Sequence, residues 1–163
     1  LVILGLVATL VTVNWKAILP RAELNSTVRE IAAEIQGTRS DAIARNAIFK
    51  IEYDLDRHRY RKNTPFKFGG GLAATEEERI AYDWIELPES VRFSRIVIDG
   101  NEYLRGIVFV RFDPLGAASG HIINLVQNPY DTHYTIEVQA LTGTIDYHEG
   151  MFEREPADEK DFQ

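Results

Sequence analysis

The chain contains no cysteine and a single methionine. The first absence excludes disulfide staples and thiolate metal centres, but leaves the compartment open, because exported proteins are often cysteine-free too. Familiar catalytic signatures are missing as well. No Gly-Lys-Ser/Thr follows the glycine-rich stretch, and neither a His-Glu-x-x-His helix nor a Gly-x-Ser-x-Gly elbow occurs, so phosphate loops, zinc-peptidase helices and hydrolase nucleophiles have no basis in the sequence. Positive charge is in deficit: 18 Lys and Arg stand against 25 Asp and Glu, a formal net charge of -7. That balance argues against a surface built throughout to hold phosphates. The first fifteen residues lack charge altogether, Lys16 being the first charged residue.

That uncharged start is the most informative feature present. Residues 1–15 are apolar on every side, with Thr9, Thr12 and Asn14 as the only polar interruptions. A soluble amphipathic helix would carry a polar stripe at helical spacing, so this segment suits lipid or a protein core better than water. Crossing a bilayer takes ~20 apolar residues. A start at Leu-Val-Ile rather than Met therefore reads as a cut, with a few more apolar residues expected upstream to complete the span. With 163 residues there is room for about one domain, and the expected organisation is a membrane or filament helix (1–21), a head (22–150) and an acidic tail (151–163).

Residues 22–46 read as an amphipathic helix. Leu24, Val28, Ile31, Ile35, Ala42 and Ile43 fall near one face, while Arg29, Glu30, Glu34 and Arg39 point elsewhere. Pro20 is expected to kink or end the first helix, because it lacks an N–H and clashes with the preceding turn. After Asn46 the period changes from 3.6 to 2. Residues 48–55 alternate as a strand and 57–62 supply its hairpin partner, followed by a flexible loop holding Pro65 and Gly69-Gly70-Gly71. Further strands are expected at 82–87, 91–98, 106–112, 121–127, 134–140 and 143–147, separated by turn residues such as Asp99-Gly100 and Asn128-Pro129. The fold class is thus α+β, a long N-terminal helix packed on an antiparallel meander. The tail holds Glu153, Glu155, Asp158, Glu159 and Asp161 against Arg154 and Lys160, and reads as solvated.

Two side-chain groups carry chemistry worth weighing. Asp54, Asp56 and His58 alternate, so on a regular strand they would share a face and offer hard ligands to a divalent cation; a solvated outer face explains them equally well, with Ile51, Tyr53 and Leu55 facing the core. Arg57, Arg59, Arg61 and Lys62, interleaved with His58 and Tyr60, could track a phosphate backbone, or could be edge-strand charges that block aggregation. His121, His133 and His148 have no partner at recognisable spacing. Ser119 sits in a turn sequence, Gly116-Ala-Ala-Ser-Gly120. No catalytic residue, cofactor or metal ligand set is assigned.

The anatomy as a whole resembles the type IV pilin superfamily, and most closely its GspH/FimT group of minor pseudopilins and minor pilins. Leu1, Val2, Ile3, Leu4, Gly5, Leu6 and Val7, continuing to Leu10, look like the later part of the prepilin segment, whose usual form is Phe-Thr-Leu-x-Glu followed by Leu-x-Val-x-x-Ile-x-Gly. Arg39-Ser-Asp-Ala-Ile-Ala-Arg-Asn46 is similar to the family's helix end. Trp84-Ile-Glu-Leu-Pro-Glu-Ser-Val91 resembles its mid-head segment, and residues 107–120 its Phe-x-Pro-x-Gly-x-x-Ser-Gly strand-turn-strand. Ile136-Glu-Val138 with Leu141-Thr-Gly-Thr-Ile145 looks like its closing hairpin. Pro20 lies further from Gly5 than the family's proline usually does.

The resemblance implies a structural, non-enzymatic subunit of a type II secretion or related type IV pilus filament. Its partners would be other pseudopilins or pilins, met through the N-terminal helix, and the lipid of the bacterial inner membrane, crossed once with the head in the periplasm. Nucleic acid is not an expected partner, because the C-terminal end, where the family's DNA-binding members are basic, is acidic here. Three alternatives stay open at this stage: DNA capture through Arg57 to Lys62, a plain membrane anchor carrying a β domain, and a soluble enzyme domain with a chance apolar start.

Overall fold

The structure, a computed structural model, describes the backbone of residues 2–154 and the side chains of residues 21–154. Helix α1 (Val2–Ala44) comes first. Nine strands follow among the described residues: β1 (Phe49–Asp54), β2 (Arg59–Asn63), β3 (Ile85–Glu86), β4 (Val91–Ile98), β5 (Asn101–Tyr103), β6 (Ile107–Phe112), β7 (His121–Gln127), β8 (Thr132–Val138) and β9 (Ile145–Glu149).

α1 passes through Pro20 without ending. One internal proline removes a single backbone bond and costs about 3 kcal/mol. Helix formers lie on both sides of it, and residues 21–36 contain neither Gly nor Pro, so the helix continues for 43 residues, about 65 Å. Leu24, Val28, Ile31, Ile35 and Ala42 form the buried stripe. Ile43 was expected on that stripe but is 45% exposed, because the helix is closing there. Asn46 takes a left-handed φ of 48°, and the Ala47 N–H returns to the Ala42 carbonyl at 3.1 Å, a terminus that Asn tolerates well after Gly.

The strands form two sheets, not the single meander expected. One has the order β3-β2-β1-β6 and the other β5-β4-β7-β8-β9. β6 leaves its sequence neighbour β5 and pairs antiparallel with β1, Phe49 opposite Phe112 and Asp54 opposite Ile107. In the second sheet β4 pairs with β7 through an irregularity between Phe93 and Arg95, which leaves Ile96 and Phe93 both facing inward.

The strand positions expected at 91–98 and 121–127 match β4 and β7, and that at 106–112 matches β6 to within a residue. Residues 82–87 contribute only the two-residue β3, and β8 begins and ends two residues earlier than expected. The last strand starts at Ile145 because Gly143, at φ 63°, belongs to the turn. β5 was not expected; Asp99 and Gly100, both at positive φ, make the tight hairpin that creates it.

The inner faces of both sheets and the helix stripe enclose one core. Tyr53 lies at its centre, edge-on to Phe93 with centroids 5.7 Å apart. Its burial, with Tyr60 and Glu34 adding to the effect, pushes the hydroxyl pKa well above its ordinary value. α1 packs on β1, β6 and β8, so the head is held along the helix from Leu24 to Ala42.

Candidate functional site

The feature that the sequence singled out most strongly, the apolar helix, continues as one rod into the head. The side chains of Leu1, Val2, Ile3, Leu4, Gly5, Leu6, Val7 and Leu10 lie outside the described residues, and among the described residues no helix is long and apolar enough to cross a membrane. The head's grip on the rod starts at Glu23, whose carboxylate accepts a hydrogen bond from Ser90, and at buried Leu24.

At the other end of the rod, the three motif pieces that lie far apart in sequence meet at one side chain. Arg39 Nε donates to the Gly116 carbonyl at 2.7 Å. A Cβ on Gly116 would stand 2.8 Å from Arg39 Nη2, and one on Gly143 would stand 2.6 Å from Arg39 Nε. Both glycines have positive φ, 88° and 63°, so backbone conformation and close approach demand Gly at each. The sequence placed both glycines in turn-bearing segments and Arg39 on the polar face at the helix end, without linking the three. The one available signal was a cation ending a helix whose preceding charges already had solvent to face.

The basic run is embedded in carboxylates. Arg59 pairs with Asp54 at 3.0 Å and with Glu86 at 3.5 Å, Arg61 with Glu52 at 2.7 Å, and Lys62 with Asp41 at 3.0 Å and Glu34 at 3.4 Å. Trp84 covers the guanidinium groups of Arg59 and Arg61, 4.4 and 4.2 Å from its ring centre, and Lys62 lies over Tyr82. Burial alone would lower the Lys62 pKa, but the Asp41 and Glu34 carboxylates outweigh it and raise the pKa. Arg57 is exposed in the β1–β2 turn. The strip therefore joins β2 to α1, β1 and the residues around β3 instead of presenting a row of open cations.

Asp54, Asp56 and His58 do not converge. Asp54 accepts from Arg59 Nε and the Arg57 N–H; these contacts outweigh its burial and lower its pKa. Asp56 accepts from the Gly106 N–H, and His58 sits at φ 50° in the turn, so the strand that would align the three ends at Asp54. Among the described residues no group of three or more acids and histidines could hold a metal ion.

The C-terminal segment contains an arrangement that the sequence did not reveal. Met151 to Arg154 cross the outer face of the five-stranded sheet, while residues 155–163 lie outside the described part. Buried Asn124, Thr135 and Glu137 occupy that outer face. Thr135 Oγ1 lies 2.6 Å from the Asn124 side-chain amide, 2.8 Å from the Gly150 carbonyl and 3.1 Å from the Phe152 N–H. One hydroxyl proton cannot serve two acceptors. With the Asn124 Nδ2 turned toward it, Thr135 donates to Gly150 and accepts from Asn124 and Phe152. Phe152 stacks on His148 at 3.8 Å, Glu137 binds both His148 and Arg154, and Arg95 binds Glu153. A groove of about 610 Å³ runs beside this strap, with Val97, Ile122 and Phe152 among its lining. These apolar side chains alternate with the charged Arg95, Asp99 and Glu102.

His121 closes the inner end of β7. Its Nδ1 lies 2.7 Å from the Ser119 carbonyl, so Nδ1 carries the proton and donates. Burial lowers its pKa to about 4, against the opposing influence of Ser119 and Asp99. The ring is neutral and belongs to the core, packed on Phe112 and Tyr53.

Compared by sequence, the chain matches no protein-family model and no curated protein. Compared by structure, it has the fold of the minor pseudopilin EpsH from the type II secretion system of Vibrio cholerae. One solved structure of that protein superposes with a TM-score of 0.55 at 12% identity, covering 78% of this chain and 97% of that one. A second gives 0.59 at 12% identity, covering 81% and 98%.

Proposed function

We propose that this chain is a minor pseudopilin, most like the H type, which joins a short periplasmic filament of a type II secretion or related type IV pilus system and assists protein export. The observation that carries the proposal is the joint one: a helix that continues unbroken from an apolar start into a two-sheet head, and a head that superposes on EpsH over nearly all of that structure. Residues Leu1 to Val7 and Leu10 form the inner-membrane anchor before assembly and the filament contact after it. Moving an apolar helix from lipid into a helical bundle of similar polarity costs little, and Gly5 and Ala8 permit close approach. The head is periplasmic, and its role is structural and not enzymatic. DNA capture through Arg57 to Lys62 has less support, because Arg59, Arg61 and Lys62 are already paired with carboxylates.

A photo-reactive amino acid placed at Val7 or Leu10 tests the helix contact in cells that express the filament system. Cross-links to other filament subunits are expected, and lipid adducts alone would remove the proposal.

A further inference from the structure

Three turns ring the C-terminal end of α1, and each lifts a large apolar side chain into solvent. Leu115 is 92% exposed, Leu141 89% and Phe68 85%. All three turns are joined to the helix end. Arg39 and Ile43 stand against Gly116, whose carbonyl in turn closes off the space beside Gly143, and the Arg45 guanidinium lies over the Phe66 ring at 5.6 Å. Hydrogen bonds fix their shapes. Asp113 accepts from the N–H groups of Leu115 and Ala117, the Gly143 N–H donates to the Gln139 carbonyl at 2.9 Å, and the Lys67 N–H donates to the Gly71 carbonyl at 3.1 Å. A scattered exposed leucine needs no explanation, but three apolar turn tips gathered around one helix end mark a contact surface. Because the tips are already held in place, covering them costs little ordering entropy. Arg45 and Lys67, both exposed, add two cations with no carboxylate partner among the described residues.

We infer that this apolar crown docks a protein other than the present chain, one that offers an apolar recess edged by carboxylates. The inference rests on the pseudopilin reading, under which that protein is a subunit lying further along the filament. Geometry removes the other occupants. The membrane that holds the apolar start is out of reach, because residues 21–44 of α1 set the crown roughly 35 Å beyond it. Two cations also fall short of the ~4–8 clustered Lys and Arg that hold a protein to an anionic lipid surface. A crown-to-crown pair of copies would point the two helices in opposite directions, so they could not start in one membrane. Copies stacked in parallel would set the crown of one on the Leu24 end of the next, where Ser90 meets Glu23. The turns at 55–58, 88–90 and 128–131 of that end offer one large exposed apolar side chain, Tyr130. Asp56, Glu89 and Asp131 there would answer the two cations, but the three apolar tips would face polar turns and stay largely wet.

In cells that express the filament system, a photo-reactive amino acid at Leu115, and separately at Leu141, is expected to cross-link to one filament subunit other than this chain. Lys67→Glu should cut that yield at least threefold while the unfolding midpoint of the full chain stays unchanged. Cross-links to a second copy, lipid adducts alone, or a yield that Lys67→Glu leaves unmoved would overturn the inference. So would silence at both positions. If Val7 or Leu10 still cross-linked to filament subunits in that case, the crown assignment alone would fall and the pseudopilin reading would stand.

Discussion

Arg39 and Gly116 are joined by a 2.7 Å hydrogen bond across 77 residues of chain, and the same guanidinium leaves Gly143 no room for a Cβ. Through this one side chain the end of the helix, the turn after β6 and the turn before β9 become a single structural unit.

Gly143→Ala is therefore expected to cost about 2 kcal/mol, part from the left-handed backbone and part from the collision with Arg39. For a chain of this size that is a fall of roughly 4–8 °C in the unfolding midpoint. Arg39→Ala removes the side-chain part of the collision and leaves the Gly116 carbonyl oxygen 2.8 Å from the new Cβ, so the double variant should lose somewhat less than the sum of the two single ones. Calorimetry on the four proteins of this cycle measures the coupling.

Acid destabilisation should begin above the range where carboxylates titrate. The unfolded-state pKa of His121 is near 6.5, and its folded value is about 4. Between those values the unfolded chain binds a proton that the folded chain refuses, so stability is full above pH 6.5 and declines as the pH falls to 4, by about 3 kcal/mol in all. Asp54 and Glu76, whose pKa values are lowered, add their own losses only around and below pH 4. His121→Phe, which keeps the ring against Phe112 and Tyr53, should remove most of the decline between pH 6.5 and 4 in denaturant titrations, leaving the part due to His58, whose pKa is also lowered, by burial and by Arg92.

Thr135→Val keeps the shape of the side chain but removes the hydroxyl that ties the strap to the sheet. The Gly150 carbonyl, the Phe152 N–H and the Asn124 amide each lose a partner, with an expected cost of about 1–3 kcal/mol. Proteolysis after Met151 or Phe152 should accelerate in parallel, because the strap opens more often.

Much of the fold was legible in the sequence, since periodicity is local information. The buried stripe from Leu24 to Ala42 and the alternation in β1, β4 and β6 follow from side-chain spacing alone. The two-sheet arrangement was not legible, because it depends on β6 returning to β1 across residues 55–106, a pairing that hydrophobic pattern does not specify. β5 was invisible because all three of its residues are exposed and show no alternation. Of the two outcomes expected at Pro20, a kink or an end, the helix does not end there, because the proline's cost is local while the stability of a long helix comes from its whole length. For the candidate site, the sequence identified the apolar rod and the basic run. The carboxylates that surround the run come from α1, β1 and β3, three elements brought together only by folding.

Because those cations are already paired, the protein should give no salt-sensitive gel shift with DNA at low ionic strength. Arg61→Glu should instead act on stability. It places a second carboxylate against Glu52 and removes the cation under Trp84, with an expected loss of about 1–3 kcal/mol.

The most direct measurement is export itself. In the organism that encodes this chain, deletion of its gene should leave exported proteins in the periplasm, and the full gene should restore them to the medium where a version lacking residues 1–20 does not. Export at the wild-type level without the gene would contradict the assignment.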